Sequence, residues 1–220
     1  MKIGFLGAGK MAEGILQAML SEGVNAADVV MAETCAARAD EMAKRYGVRV
    51  VPDAKAVVKA TGMFFLAVRP QNVDEVAGAV KPLLTEKKLL VSIVAGKTLA
   101  KLRAAFGEKV KLIRVMPNLA LRAGAGMCAI SPAAKTPKKF VQAVEAILGG
   151  AGATVVLNEK DMDAVTALSG SGPAYFAYME EAMAEGGVKL GLKPDVARLL
   201  AEQTMYGTAK FLRESGMALR

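Results

Sequence analysis

The first chemical signal in the chain is the pattern Gly7-x-Gly9-x-x-Ala12, which directly follows the apolar run 3–6. Gly7 would permit a tight turn, Gly9 would let phosphate groups approach the backbone, and Ala12 would let a helix pack close to the preceding strand. The start of that helix would offer unpaired N–H groups and the positive end of its dipole. The pattern therefore predicts a dinucleotide pyrophosphate site, although a purely structural turn could use the same glycines.

An acidic residue follows the second predicted strand, where sites of this kind contact the adenosine ribose. The carboxylate of Glu33 would accept a hydrogen bond from a ribose 2′-OH and would repel a 2′-phosphate, which favours NADH. Arg38 lies close enough in the sequence to pair with a 2′-phosphate, which would favour NADPH, and Glu33 could equally point to solvent. The sequence thus predicts NADPH or NADH as cofactor and leaves the preference open.

Composition excludes several other kinds of chemistry. The 220-residue chain has no histidine, so a Ser-His-Asp triad, a Cys-His pair and a histidine-ligated metal are excluded, and no metal site is predicted. Hydride transfer from a nicotinamide stays compatible, because the cofactor carries the difficult chemistry. The net charge of +8 comes from lysines and arginines spread along the chain, without interleaved aromatics, so nucleic-acid binding is not predicted.

The sequence also lacks the features of membrane and secreted proteins. No apolar run is long enough to span a bilayer, and the first residues enter a strand without a signal-peptide pattern. Cys35 and Cys128 are too few for a disulfide framework, and 13 methionines suit a reducing compartment. We therefore expect a cytoplasmic protein with no membrane contact.

Strand-like and helical runs alternate through about residue 157, which predicts an α/β fold. Strands are expected at 3–6, 28–32, 48–51, 63–68, 89–94, 110–116, 127–130 and 154–157, and helices after the glycine turn and at 36–46, 73–84, 99–106, 138–148, 174–190 and 194–212. This order predicts a Rossmann-like doubly wound parallel sheet in a dinucleotide-binding domain, 1–158, followed by an all-helical dimerisation and substrate domain, 159–220. Alanine-rich faces on the last two helices predict burial against a second copy, as in a homodimer or higher homo-oligomer.

Four further regions carry distinctive motifs. They are Leu-Ala-Val-Arg-Pro-Gln at 66–71, Arg-Val-Met-Pro-Asn at 114–118, Leu-Ser-Gly-Ser-Gly-Pro-Ala-Tyr at 168–175, and the helical segments 187–192 and 203–210. Together with the glycine turn, these motifs resemble the pyrroline-5-carboxylate reductases, which catalyse the last step of proline biosynthesis. The resemblance extends over essentially the whole chain.

The resemblance implies a nicotinamide-binding Rossmann domain, a helical domain that intertwines with a partner, and reduction of the cyclic imine Δ1-pyrroline-5-carboxylate to proline by NAD(P)H. Because the imine nitrogen is partly protonated near neutrality, the enzyme mainly has to orient the reactants, and no catalytic side chain is assigned. Together with Glu33, the residues expected at the cofactor are Gly7, Gly9, Lys10, Met11, Ala67, Val68, Arg69, Pro70, Ala95, Gly96 and Asn118. For some of them a purely structural role stays open: core packing for Ala67 and Val68, a strand cap for Arg69, and a turn for Asn118.

The chain departs from the family pattern in two places. Leu119-Ala120 stand where the family commonly has Thr-Pro, so the local loop is expected to differ. The family continues into a further helix with a Ser-Pro-Gly-Gly-Thr-Thr-like loop that helps to hold the substrate carboxylate, and the sequence is expected to lack it. Two other functions stay open: a catalytically silent nucleotide-binding dimer, and another Rossmann dehydrogenase of the β-hydroxyacid type.

Overall fold

A computed structural model describes residues 2–217 as parts of two compact units, Met1–Gly170 and Ser171–Arg220. The last three residues of the predicted helical domain lie outside the described residues. The strands of the first unit are β1 Ile3–Leu6, β2 Val29–Ala32, β3 Arg49–Val51, β4 Met63–Leu66, β5 Leu89–Ser92, β6 Lys111–Pro117, β7 Gly126–Pro132 and β8 Gly152–Val156. Its helices are α1 Lys10–Ser21, α2 Ala36–Tyr46, α3 Ala54–Ala60, α4 Val73–Val80, α5 Leu99–Phe106, α6 Lys138–Gly149 and α7 Met162–Val165.

Within the described residues these strands form one eight-stranded sheet in the order β3-β2-β1-β4-β5-β6-β7-β8. The predicted fold class is confirmed, since every neighbouring pair of described strands is parallel except β6 and β7, which pair antiparallel. The strand order reverses between β1 and β4, and in a doubly wound sheet the ligand crevice lies at the carboxyl ends of the strands at this reversal.

Strands β1, β2, β4 and β5 are buried on both faces, which explains why their sequences are almost continuously apolar. Successive side chains of β4 enter opposite layers: Phe65 stacks on Phe5 with ring centroids 5.0 Å apart, whereas Phe64 and Leu66 belong to the core of the other face. Burial of large side chains on both faces fixes the strand register, because a slip of one residue would exchange the two sets.

The second unit contains two long helices, α8 Gly172–Lys189 and α9 Pro194–Ser215. They are joined by a short turn, and small residues allow close packing: a Cβ at Gly187 would lie 3.1 Å from the Cβ of Ala197, which is buried. Large apolar side chains remain exposed on this unit, among them Tyr175, Phe176, Met179, Leu199, Tyr206 and Phe211. Within residues 2–217, no helix is both long enough and apolar enough to cross a bilayer.

Candidate dinucleotide site

The glycine turn is held between two strands by backbone hydrogen bonds. The N–H of Gly7 donates to the carbonyl of Ala32 (2.9 Å), and the N–H of Ala67 donates to the carbonyl of Leu6 (2.8 Å). Gly7 has a φ of 100°, which side chains with a Cβ rarely adopt. A Cβ there would also lie 2.7 Å from the carbonyl oxygen of Ala67. Gly7 is therefore required by the fold of the turn itself.

Gly9 differs from Gly7, because nothing in the fold requires it to lack a side chain. Its φ of −68° and ψ of 176° are accessible to any residue, and a Cβ would have no atom within 4 Å. Gly9 is the N-cap of α1 and offers no side chain to cap the first turn. The first N–H groups of a helix have no partner within the helix, so an anion can approach them at Gly9 without meeting a side chain. This open approach fits a dinucleotide pyrophosphate.

A cleft of about 430 Å³ opens beside this turn at the carboxyl ends of β1, β2 and β4. Its lining comprises Leu6, Gly7, Ala8, Gly9, Ala32, Glu33, Thr34, Pro52, Ala54, Ala67, Val68, Arg69, Gln71, Asn72, Glu75 and Val76. The cleft therefore lies where the reversal in strand order predicts a nucleotide site.

Six of the twelve residues expected at the cofactor line this cleft together: Gly7, Gly9, Glu33, Ala67, Val68 and Arg69. The other six are not among its lining. Lys10 and Met11 begin α1, Pro70 begins a short 3₁₀ helix after Arg69, Ala95 and Gly96 follow β5, and Asn118 follows β6. Their assignment to the cofactor stays a prediction.

Glu33 faces the cleft with both carboxylate oxygens engaged. Oε2 accepts a hydrogen bond from the N–H of Ala8 (3.1 Å), and Oε1 accepts one from the N–H of Cys35 (2.9 Å). The backbone N–H of Glu33 donates to the carbonyl of Val51 (3.0 Å). The carboxylate is thus held between the glycine turn and the start of α2, and it is not directed away from the cleft into solvent.

Arg38 is committed to protein partners. Its Nε donates to the carbonyl of Ala8 (2.8 Å), while its other two nitrogens pair with Glu13 and Glu41 (2.8 Å each). Burial would lower the pKa of Arg38, but the hydrogen bonds to Glu13 and Glu41 outweigh it and the pKa is raised. The guanidinium stays charged and ties α2 to the glycine turn.

Glu13 is the buried centre of this cluster. It lies on α1 with a side chain only 4% exposed, and it accepts hydrogen bonds from Tyr46 (2.6 Å), Arg38 (2.8 Å) and Arg45 (3.0 Å). Burial raises the pKa of Glu13, but the hydrogen bonds from Tyr46 and Arg38 and the two positive charges outweigh it, so the pKa falls below its ordinary value. The cluster holds α1 and α2 together behind the cleft.

Comparison with known proteins agrees with this geometry. Residues 159–220 match the family model for pyrroline-5-carboxylate reductase dimerisation, and residues 2–96 match that for NADP oxidoreductase, coenzyme F420-dependent. The pyrroline-5-carboxylate reductase of a Synechocystis strain is 39% identical over 97% of this chain and 80% of its own length. The chain belongs to the pyrroline-5-carboxylate reductase family.

Two solved structures of family members have the same fold. The enzyme from Coxiella burnetii superposes with a TM-score of 0.93 at 27% identity, over 99% of this chain and 81% of its own. The enzyme from Plasmodium falciparum, solved with NADP bound, has a TM-score of 0.88 at 26% identity, over 99% of this chain and 80% of its own.

For this member of the family, sequence reasoning missed part of the cleft wall. Thr34, Gln71, Asn72 and Glu75 line the cleft but were not predicted. Gln71 could have been found, since it ends the motif at 66–71, and Thr34 directly follows Glu33. Among the residues from 2 to 217, no group of three or more Cys, Asp or Glu side chains could hold a metal ion.

Asn118 has a definite structural partner. Its side-chain Oδ1 accepts a hydrogen bond from the N–H of Met127 (3.1 Å), and its carbonyl accepts one from the N–H of Leu121 (3.2 Å). These contacts connect the end of β6 to the start of β7 across a short 3₁₀ segment, Leu119–Ala123. They give Asn118 a structural part in the turn that contains Leu119 and Ala120, and its contact with the cofactor stays a prediction.

Proposed function

We propose that the chain reduces Δ1-pyrroline-5-carboxylate to L-proline with NADPH or NADH, as the final step of proline biosynthesis. The observation that carries the proposal is the cleft at the strand-order reversal, with Gly9 open at a helix N-cap, in a chain 39% identical to a pyrroline-5-carboxylate reductase. When bound, the reduced nicotinamide would supply a hydride to the imine carbon. The nitrogen then carries its proton into the product amine.

The residues of the chain bind and orient the reactants. The backbone at Gly7 and Gly9 and the first turn of α1 hold the pyrophosphate, and Ala67 and Val68 give the cofactor an apolar wall beside it. Arg69, exposed at the same wall, adds a positive charge near the phosphates. Lys10, Met11, Pro70, Ala95, Gly96 and Asn118 complete the proposed contacts. Orientation of this kind supplies much of the rate of a reaction whose electrophile is already activated.

The proposed assembly is a homodimer or higher homo-oligomer through the helical region 159–220, with 1–158 as the dinucleotide-binding domain. The match to the dimerisation model and the exposed apolar side chains on α8 and α9 support this assignment. Leaving these apolar side chains exposed to water on two helices alone would cost free energy, which a partner surface would recover. A cytoplasmic location is also proposed, and it is supported by Cys35 and Cys128, which are both free thiols.

The purified 220-residue chain should oxidise NAD(P)H when Δ1-pyrroline-5-carboxylate is added, with one proline formed per nucleotide oxidised. Absorbance of the reduced nucleotide measures the rate, and proline is quantified separately, so that nucleotide decay without product is excluded. The control is the same mixture without imine. Nucleotide binding without turnover would contradict the proposal and would favour a nucleotide-binding protein with no reductase activity.

A further inference from the structure

The end of β2 carries a fixed negative charge in the cleft. Each carboxylate oxygen of Glu33 accepts a hydrogen bond from a backbone N–H, one in the glycine turn and one at the start of α2. Its own N–H is bonded to β3 through Val51. A side chain held by two hydrogen bonds, on a residue whose backbone is fixed to β3, has little freedom to turn away from a ligand that enters beside it. The carboxylate is therefore a built part of the cleft wall.

No lining cation stands next to this carboxylate. The charged residues that line the described cleft are Glu33, Arg69 and Glu75. Arg69 follows β4, which is two places from β2 in the sheet, so about two strand spacings of roughly 4.8 Å separate the two strands. Arg69 makes no ion pair with Glu33 in the described residues, since none of the salt bridges found there joins the two.

Arg38, the residue best placed in sequence to neutralise a phosphate there, has all three of its guanidinium nitrogens bonded to the protein. Turning toward a ligand would break its hydrogen bonds to the carbonyl of Ala8 and to Glu13. Because Glu13 is buried, losing its cation would leave a carboxylate without its closest charged partner, which is strongly unfavourable. Arg38 thus lies beside the cleft, but its bonds to Glu13, Glu41 and the carbonyl of Ala8 hold it in place there.

From this arrangement we infer that the chain prefers NADH to NADPH and that Glu33 is the residue that decides it. The inference rests on the proposed function, whose cofactor it specifies. A ribose 2′-OH can donate to the carboxylate, whereas a 2′-phosphate brings about two negative charges against it, and the nearby cation, Arg38, is already paired with Glu13 and Glu41. The chain matches a family model named for NADP, and the Plasmodium enzyme was solved with NADP bound. Neither fact sets the preference of this chain, because the charges at the end of its own β2 decide it.

Calorimetric titration of the purified chain with NADH and with NADPH, without imine, tests the inference directly. We expect NADH to bind at least about tenfold more tightly. The repulsion between like charges about 4 Å apart in a partly solvated site is larger than the free energy that corresponds to a tenfold change in dissociation constant. In Glu33→Gln the amide oxygen can still accept a backbone hydrogen bond but the charge is gone. The ratio of the two dissociation constants should then fall to about threefold or less.

Glu75→Gln is the matched control, because it removes one negative charge from the lining at α4. It should change the two affinities by a similar factor and leave their ratio unchanged. NADPH binding as tightly as NADH to the unaltered chain would overturn the inference while leaving the proposed reaction intact. Binding of neither nucleotide would overturn the proposed function as well, and binding without imine reduction would overturn only the reaction.

Discussion

Replacing Gly9 by aspartate is expected to weaken binding of the reduced nicotinamide nucleotide by about two orders of magnitude while leaving the chain at least as stable as before. Aspartate is a preferred N-cap residue and its charge suits a helix N-terminus, so the free energy of unfolding should stay equal or rise by up to about 1 kcal/mol. The backbone angles of Gly9 accept a side chain, and no atom lies within 4 Å of the added Cβ. The same carboxylate would occupy the approach of the pyrophosphate and repel it.

Opposite effects on stability and on binding make this substitution decisive. Calorimetric titration gives the nucleotide affinity, and urea denaturation gives the free energy of unfolding. Gly9→Ser is the matched control, because serine caps the helix without adding charge and should weaken binding much less. Gly7 would be unsuitable for this test, since its positive φ and the carbonyl of Ala67 make any substitution disrupt the turn. Unchanged affinity in Gly9→Asp would mean that the glycines serve only the turn and that the cleft does not bind a pyrophosphate there.

Hydrophobic pattern predicted the strands of the central sheet because those strands are buried on both faces. Met63–Leu66 and Leu89–Ser92 fall inside predicted runs that extended two residues too far at the carboxyl end, where the chain leaves the sheet toward the cleft. Helix α3, Ala54–Ala60, was missed because seven residues with two buried valines give little helical periodicity. The antiparallel direction of β7 could not be foreseen either, since the apolar pattern of a strand does not depend on its direction.

The candidate site divides in the same way into local and long-range parts. The glycine turn and Arg69 were predictable because each follows a strand end within a few residues. The hypothesis that Arg38 pairs with a 2′-phosphate rested on nearness in sequence alone. In the structure its partner is Glu13, which lies 25 residues earlier on another helix. Only the packing of α1 beside α2 brings these two charges together, so no short motif could indicate the pair.

Glu13→Gln is expected to lower the free energy of unfolding by about 3 kcal/mol at neutral pH. The substitution keeps the side-chain shape and one oxygen acceptor, but it removes the negative charge from a side chain that is 4% exposed and bonded to Arg38, Arg45 and Tyr46. Removing the charge of this buried carboxylate weakens its hydrogen bonds to Tyr46 and the two arginines, whereas Glu41 still pairs with Arg38, so the loss lies at the low end of that expected for a broken buried ion pair. Denaturant unfolding followed by circular dichroism measures it.

Glu41→Gln is the matched control for this loss. Glu41 also pairs with Arg38 at 2.8 Å, but its side chain is 51% exposed, so water can replace the lost contact. Its removal should cost less than about 1 kcal/mol. Equal losses in the two variants would mean that burial does not govern the strength of this cluster.

The difference in the free energy of unfolding between the unaltered chain and Glu13→Gln should become smaller as the pH is lowered. Burial raises the pKa of Glu13, but the hydrogen bonds from Tyr46 and Arg38 and the neighbouring charges outweigh it, so the folded pKa lies below the ordinary value of 4.5. An unfolded chain therefore takes up the proton first as the pH falls, and stability from this carboxylate is present above about 4.5 and lost below it. The gap between the two proteins should narrow as the pH drops through the folded pKa, because protonated Glu13 resembles glutamine. A gap that stays constant across this range would place its origin in side-chain packing, since only the charge of Glu13 can titrate away.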